Sequence, residues 1–551
     1  MGKRKKNESN FLVQGSILAV ASIISRVIGL LYRIPLKSII GDIGNDYYGT
    51  AMEIYSILLL ISSYSLPLAV SKLVSTRIAK GQWKNAYRIF KGAIIFALIS
   101  GTIASLIVYF GAGFITTYIV MTPLSKYALE VLAPTLAVVA VLGVIRGFFQ
   151  GMGTMMPSAL SQLCEQVINA IVSVCVAYVL YQKGMKIGAV LGNPSTYAEA
   201  YGAGGGTIGT EAGAIAALVV VLFILFLYHP RFKRNAKQDR TKKLESYSTI
   251  FFVLTITIIP VLLSTTIYNI TSFLDLGVFK QIAAMQGYKA NDYSKMWGIY
   301  VGEYKVLINV PIAIASSVSA SSVPSLSTAF AAKDMAQVKR KVSYSIRFIM
   351  IIAIPCAVGM GVLASPILQL LFHDNRELPE RMMQIGAISI VFYSLSTLSN
   401  GILQGINRMN VPVKNAAITL FLHIGVLAIL MYGLDLNIYA VVWANTFFSG
   451  MMCILNGMAI KKYLRYRQEI LRTFIIPSIS AAVMGGAVYG VYHFLINTTK
   501  INAVATIASI CVGVCVYGIL LLLLRGLREN ELRNFPMGSL IVRIAKKLHL
   551  M

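Results

Sequence analysis

Apolar runs long enough to cross a bilayer as helices recur along this chain, and that recurrence limits the fold more than any other feature. Fourteen runs of about 20 residues, the length that spans a hydrocarbon core of roughly 30 Å, lie near 11–31, 48–68, 92–111, 127–148, 159–181, 212–228, 249–273, 298–321, 344–365, 382–403, 412–432, 437–459, 474–496 and 503–524. They are helix-length rather than ten-residue alternating segments, which excludes an outer-membrane β-barrel. Only 13% of the 551 residues are charged and 57% are hydrophobic, about half the charge of a soluble domain, and a chain this apolar has ample surface to bury, which excludes disorder. The expected class is an all-α polytopic membrane protein.

The net charge of +28 would suggest nucleic acid in a soluble chain. Here the basic residues alternate between the segments that join the spans. Lys3–Lys6, Lys72–Lys91, Arg231–Lys243, Lys333–Arg347, Lys461–Arg472 and the C-terminal tail all fall on one side. That side exceeds the other by about three to one, a positive-inside pattern that puts both termini in the cytoplasm. The charge therefore reads as topology and contact with anionic lipid, with no nucleic-acid partner. Met1–Lys6 followed by an apolar stretch has the look of a signal peptide, with Ala19-Val20-Ala21 as a formal cleavage site. The run continues to Leu31, however, and thirteen spans follow, so an uncleaved first helix is expected. Cys164, Cys175, Cys356, Cys453, Cys511 and Cys515 all lie in apolar runs without metal-ligand spacing, and are expected to be buried apolar cysteines.

An internal repeat organises the spans. Arg146-Gly-Phe-Phe-Gln-Gly-Met-Gly-Thr-Met155 returns as Asn400-Gly-Ile-Leu-Gln-Gly-Ile-Asn-Arg-Met409, an offset of 254, and each copy is followed by a proline, Pro157 or Pro412. Ala79-Lys80-Gly81 returns as Ala332-Lys333-Asp334, an offset of 253. Two six-span lobes in the same orientation are expected, 1–238 and 239–463, followed by residues 464–551 with two extra spans and a basic tail. Parallel repeats of this kind place a transporter's site between them. The motif's simplest role is to end helices at Gly151 and Gly405 and to start the next at the prolines.

Ionisable groups inside spans cost about 2.5–3.5 kcal/mol at the bilayer centre, so each is expected to face a cavity or a partner. Arg26 and Lys305 are the two basic ones, and no acidic residue stands three or four places after Arg26. Glu303 lies two residues from Lys305, on another helix face; Glu53, Arg146, Glu165 and Asp275 are the remaining near-membrane charges. Gln162, Glu165, Gln166 and Asn169 share one face of a helix, as polar glue between helices or as cavity lining. Asn269, Thr271 and Asp275 offer oxygen ligands for a cation, without a matching set elsewhere.

Several of these pieces together carry a resemblance. Ser25-Arg26-Val27-Ile28-Gly29, Leu66-Pro67-Leu68-Ala69-Val70-Ser71-Lys72, Arg146-Gly147-Phe148-Phe149-Gln150-Gly151, Pro157 with Ser161-Gln162, and Pro311 with Val323-Pro324-Ser325-Leu326 resemble the multidrug/oligosaccharidyl-lipid/polysaccharide (MOP) exporter superfamily. Within it the chain is most similar to the SpoVB/YtgP branch, which includes MurJ-type lipid II flippases. The resemblance covers roughly residues 10–525. It implies a two-lobe MATE-like fold and transport of an undecaprenyl-diphosphate-linked sugar across the bacterial cytoplasmic membrane by alternating access, for peptidoglycan or polysaccharide synthesis. It also implies a cationic cavity to which Arg26 belongs, with Lys305 the nearest candidate on span eight; Glu303 and Glu53, as charges in or near the spans, are further substrate-site candidates. No cofactor or catalytic residue is implied; coupling to Na+ or H+, the oligomeric state and contact with cell-wall synthesis enzymes are left open. The chain departs from some relatives in having no Lys or Arg from Tyr47 to Ser71, lysine rather than arginine on span eight, and Asn415 without an acidic residue on span eleven.

Two other functions fit the architecture. A cation-coupled multidrug exporter shares the two lobes but requires acidic groups in its cavity, whereas the mid-span charges here are basic. A membrane-embedded glycosyltransferase requires acidic catalytic or metal-binding groups at a membrane face. The longest outer segment, about 183–211, is glycine-rich and has only Glu199 and Glu211 as acids, and the chain has no D-x-D, H-E-x-x-H, P-loop or nucleophile elbow.

Overall fold

The computed structural model describes residues 20–60, 66–239, 241, 244–524 and 526. The basic N-terminal stretch, the start of the first run and the C-terminal tail lie outside the described residues. Every regular element among those described is helical. Among the described residues, eleven helices are long and apolar enough to cross a membrane. The other three expected spans fall on α1 (Val20–Leu31), on α2 (Arg33–Leu59) with α3 (Leu66–Ala79), and on α9 (Tyr247–Met285). The exposed surface explains the apolar composition: Phe110, Phe226 and Phe421 are each more than three-quarters exposed, a cost in water but not in lipid.

The chain divides into two compact units, one ending at Gly302 and the other starting at Glu303. The first contains α1–α3, α4 (Trp83–Phe114), α5 (Ser125–Leu132), α6 (Thr135–Gly151), α7 (Met156–Leu191), α8 (Pro194–Gln238), α9 and α10 (Ala290–Ile299). Compactness and sequence repeat are separate properties. The repeat assigns α9 and α10 to the second half, yet they pack in the first unit against α2. Part of that unit's core is aromatic, with Phe90 and Phe148 4.4 Å apart and Phe232 between Trp83 and Phe148. Gly41, with φ of +68°, bends α2 where an L side chain would be strained.

The expected outer segment 183–211 is instead helix. α7 runs on to Leu191 and α8 starts at Pro194, after a turn at Gly192. Glycines make this possible: a Cβ on Gly205 would stand 2.7 Å from Ala177 Cα, and one on Gly213 2.5 Å from the carbonyl of Glu165. Small residues at four-residue spacing let two membrane helices approach until backbone meets backbone. The composition that suggested a loop is an interface.

The second unit contains α11 (Lys305–Ala331), α12 (Met335–Val362), α13 (Ala364–Phe372), α14 (Glu377–Gly405), α15 (Asn410–Tyr432), α16 (Ile438–Leu464), α17 (Ile476–Thr499) and α18 (Asn502–Leu523). Asp334 caps α12 by accepting from the amide of Gln337 at 2.9 Å. The two extra spans join this unit: the Tyr517 hydroxyl donates to the carbonyl of Ile351 at 2.9 Å, and the Asn502 amide to that of Pro366 at 3.0 Å. All six cysteines are free, and Cys175, Cys511 and Cys515 are exposed rather than buried. A thiol is apolar enough to face lipid as readily as core.

Candidate functional site

Arg26 occupies the middle of α1, a helix too apolar to hold it without cause. Ser22, Ser25 and Gly29 of α1 are small where α7 packs against them. Ser22 Oγ donates to Gln162 Oε1 at 3.2 Å, Ser25 Oγ donates to the carbonyl of Gln162 at 3.4 Å, and a Cβ on Gly29 would stand 3.3 Å from Gln166 Oε1. These contacts run in parallel register and leave Arg26 on an exposed face. Among the described residues Arg26 has no hydrogen bond or ion pair.

The polar face of α7 is thereby divided among several neighbours. Gln162 and Gln166 face α1, while Glu165 Oε2 accepts from Arg146 Nη2 of α6 at 2.8 Å, and Arg146 Nε donates to Ser161 Oγ at 2.9 Å. Asn169 Oδ1 accepts from Ser173 Oγ, 2.9 Å away. Gln162 and Glu165 join α7 to α1 and α6 as polar glue between helices does, Gln166 lies against α1, and the Asn169 side chain bonds within α7. Glu53 is half-buried on α2, close enough to Arg33 for their charges to interact.

In the second unit, Lys305 is the half-buried first residue of α11, and Glu303 lies in a π-helical turn, Tyr300–Tyr304, just before it. Such turns add a residue to one helical turn and often mark functional positions. The Glu303 side chain is fully buried, 3.8 Å from Arg376 Nη2, and Arg376 in turn grips Asp374 through Nε, 2.9 Å from each oxygen. Burial pushes the Asp374 carboxyl up, but hydrogen bonds from the Arg376 side chain and amide, and its charge, pull it lower, to about 2. Tyr304 packs against α14 where Gly386 leaves room for its ring.

The cation candidates separate: Asn269 is exposed and Asp275 buried. No group of three or more metal-ligating His, Cys, Asp or Glu occurs among the described residues. Sequence reasoning missed a buried charge cluster altogether. Lys280, expected in a loop beyond span seven, is fully buried on an α9 that continues to Met285. Its Nζ donates to Asp46 Oδ1 and to Thr122 Oγ1, each 2.5 Å away, and Asp46 also accepts from Thr50 at 3.0 Å. Asp46 is 234 residues distant, and only tertiary structure connects them.

This fold, whose regular elements are all helical among the described residues and which sets charged side chains into apolar helices, is that of a multi-pass transporter. It is shared with a lipid II flippase MurJ solved in an inward closed conformation, at a TM-score of 0.63 and 16% identity over 91% of this chain and 97% of that one. The family described as polysaccharide biosynthesis protein matches residues 12–330, more than half of the chain, and the MatE family matches 306–429. The chain belongs to the polysaccharide biosynthesis protein family, within the MOP exporter superfamily. Among curated relatives, it is 24% identical to lipid II flippase MurJ of Bacillus subtilis, over 87% of this chain and 94% of that protein. It is 23% identical to stage V sporulation protein B of the same organism, over 97% and 100%.

Proposed function

We infer that the protein flips an undecaprenyl-diphosphate-linked sugar from the inner to the outer leaflet of the cytoplasmic membrane, with both termini in the cytoplasm. The observation that carries this reading is Arg26: a guanidinium exposed in the middle of an apolar helix, with no ion-pair partner among the described residues. Hydrocarbon does not accept such a charge, so its exposed side faces water or an anionic ligand. A diphosphate head group needs compensation where the dielectric is low, and a planar guanidinium binds phosphate in bidentate fashion. The lipid tail stays in the bilayer while the head group crosses. Relatives named as a lipid II flippase and a sporulation protein support a lipid-linked cell-wall precursor as the substrate class.

The test is depletion followed by complementation. Loss of the protein should cause one lipid-linked precursor to accumulate on the cytoplasmic side, which identifies the substrate. Arg26→Ala should fail to complement at near-normal membrane levels, and Arg26→Lys should complement in part, since lysine keeps the charge and loses the fork. A fully active alanine variant would remove the argument for an anionic substrate at this position.

A further inference from the structure

Arg146 of α6 and Arg26 of α1 stand on two helices that meet the polar face of α7, and the position of the Arg146–Glu165 pair suggests more than an anchor between helices. Both partners are in membrane helices, and their side chains remain 18% and 23% exposed. Keeping an ion pair between two helices costs desolvation that apolar residues of similar volume avoid, so joining the helices does not by itself require one. The α1–α7 contacts set its depth. Ser25 meets the carbonyl of Gln162 and Gly29 meets Gln166, so Arg26 stands within about one helical turn of Glu165 along the membrane normal. One layer of the first unit therefore holds two guanidiniums and one carboxylate. Arg146 is committed through Nε to Ser161 and through Nη2 to Glu165. Arg26 has no ionic partner among the described residues.

We propose that Glu165 is an internal stand-in for the substrate's diphosphate: it occupies Arg146 in the empty state and yields it when the diphosphate arrives, which Arg146 and Arg26 then share. The proposal rests on the flippase reading and deepens it by adding a binding residue, Arg146, and a release device, Glu165. The exchange has a physical basis. With the cavity empty, the carboxylate halves the uncompensated positive charge of the layer. With the cavity full, two forks face a group carrying at least two negative charges, and Glu165 returns to displace it on release.

The test uses the full-length protein in phosphatidylcholine nanodiscs, with undecaprenyl diphosphate as probe and bound lipid quantified per folded molecule. Glu165→Gln should bind the probe more tightly and transport it more slowly. Arg146→Gln should bind roughly ten- to hundredfold more weakly, the worth of one charge-assisted contact. The double variant should stay as weak as Arg146→Gln. Inorganic pyrophosphate should compete with the probe; competition by phosphatidylglycerol alone would show a general anionic-lipid site and overturn the proposal. If the pair is only a helix anchor, each single variant lowers the thermal midpoint, the double variant restores it, and probe binding never changes. Wild-type binding matched by all variants defeats the exchange but leaves the flippase reading standing. No binding by the wild type defeats both.

Discussion

The two units build one helix contact twice, from different materials. In the first, a Cβ on Gly147 of α6 would meet Pro67 of α3, and one on Gly151 would meet Ser71 and Val74; in the second, Gly401 and Gly405 of α14 stand against Ser319, Val323 and Leu326 of α11. The glycines are related by an offset of 254. Their partners, 67 and 319, 71 and 323, 74 and 326, are related by 252. The same contact thus survives a two-residue difference in the chain between the paired helices. It is the geometry of approach that recurs, more faithfully than the residues. The charges do not recur: the first unit encloses the Asp46–Lys280 pair with neither side chain exposed, whereas in the second Asp374 and Glu303 share an Arg376 that is 47% exposed.

That contrast in charge should give the largest effect. Lys280→Met leaves Asp46 buried without its cation, a loss of about 3–5 kcal/mol, and should remove most folded protein from the membrane. Asp46→Asn combined with Lys280→Met should recover much of it, because the loss comes mainly from the stranded charge. Arg376→Ala also strands buried carboxylates, Glu303 and Asp374, but water reaches the half-exposed place of the guanidinium and solvates them in part, so it should cost less. Protein levels and thermal midpoints in detergent measure all of these. Equal losses in the two units would show that burial does not separate the clusters.

The glycine contacts come next in size. A methyl group on Gly147 would lie 2.5 Å from the carbonyl oxygen of Pro67 and 2.8 Å from its Cα, both backbone, whereas on Gly401 its nearest obstacle is Ser319 Oγ at 2.1 Å, a side chain able to rotate. Gly147→Ala should therefore cost about 1–3 kcal/mol, the usual range for overpacking, and Gly401→Ala clearly less. Ser319 Oγ donates to the carbonyl of Thr397 at 3.1 Å, and giving up that bond bounds the smaller loss at about 0.5–1.5 kcal/mol. A larger effect at Gly401 would mean that α11 cannot adjust.

Much of this was legible in the sequence, for reasons of period and cost. Apolar runs of bilayer length have few structures open to them, so the helices were readable, and the Gln-Gly motif does end α6 and α14 at Gly151 and Gly405. Arg26 was readable as an anomaly because a charge within an apolar run is expensive wherever it points. The glycines of α8 were read as a loop because glycine weakens an isolated helix and strengthens a close-packed one, and one chain does not say which applies. The partners of Lys280 and Glu303 were not readable at all. Asp46 is far away in sequence, and Glu303 meets Arg376 from a π-helical turn whose extra residue shifts the face that simple helical spacing assigns to it.

The smallest expected effect lies in the turns after α3 and α11, where the two units take one backbone shape with different residues. Gly81 has φ of +73°, and Lys333, 252 positions later, has φ of +58°. Left-handed backbone costs an L residue roughly 1–2 kcal/mol, while glycine gives up about 0.5–1 kcal/mol through its freer unfolded chain. Lys333→Gly should thus raise stability by about 0.5–1 kcal/mol, and Gly81→Ala should lower it by a similar amount. A Cβ on Gly81 would meet nothing within 4 Å, so the second change tests backbone strain without a clash, and a shift in thermal midpoint measures both. Lys333→Asn is the control, because asparagine tolerates the left-handed region without glycine's flexibility. If both substitutions at Lys333 lower stability, the exposed ammonium provides more than the strain costs, and its position in a basic segment makes an anionic lipid head group the partner to test. The two turns would then differ because one of them carries a lipid contact that the other lacks.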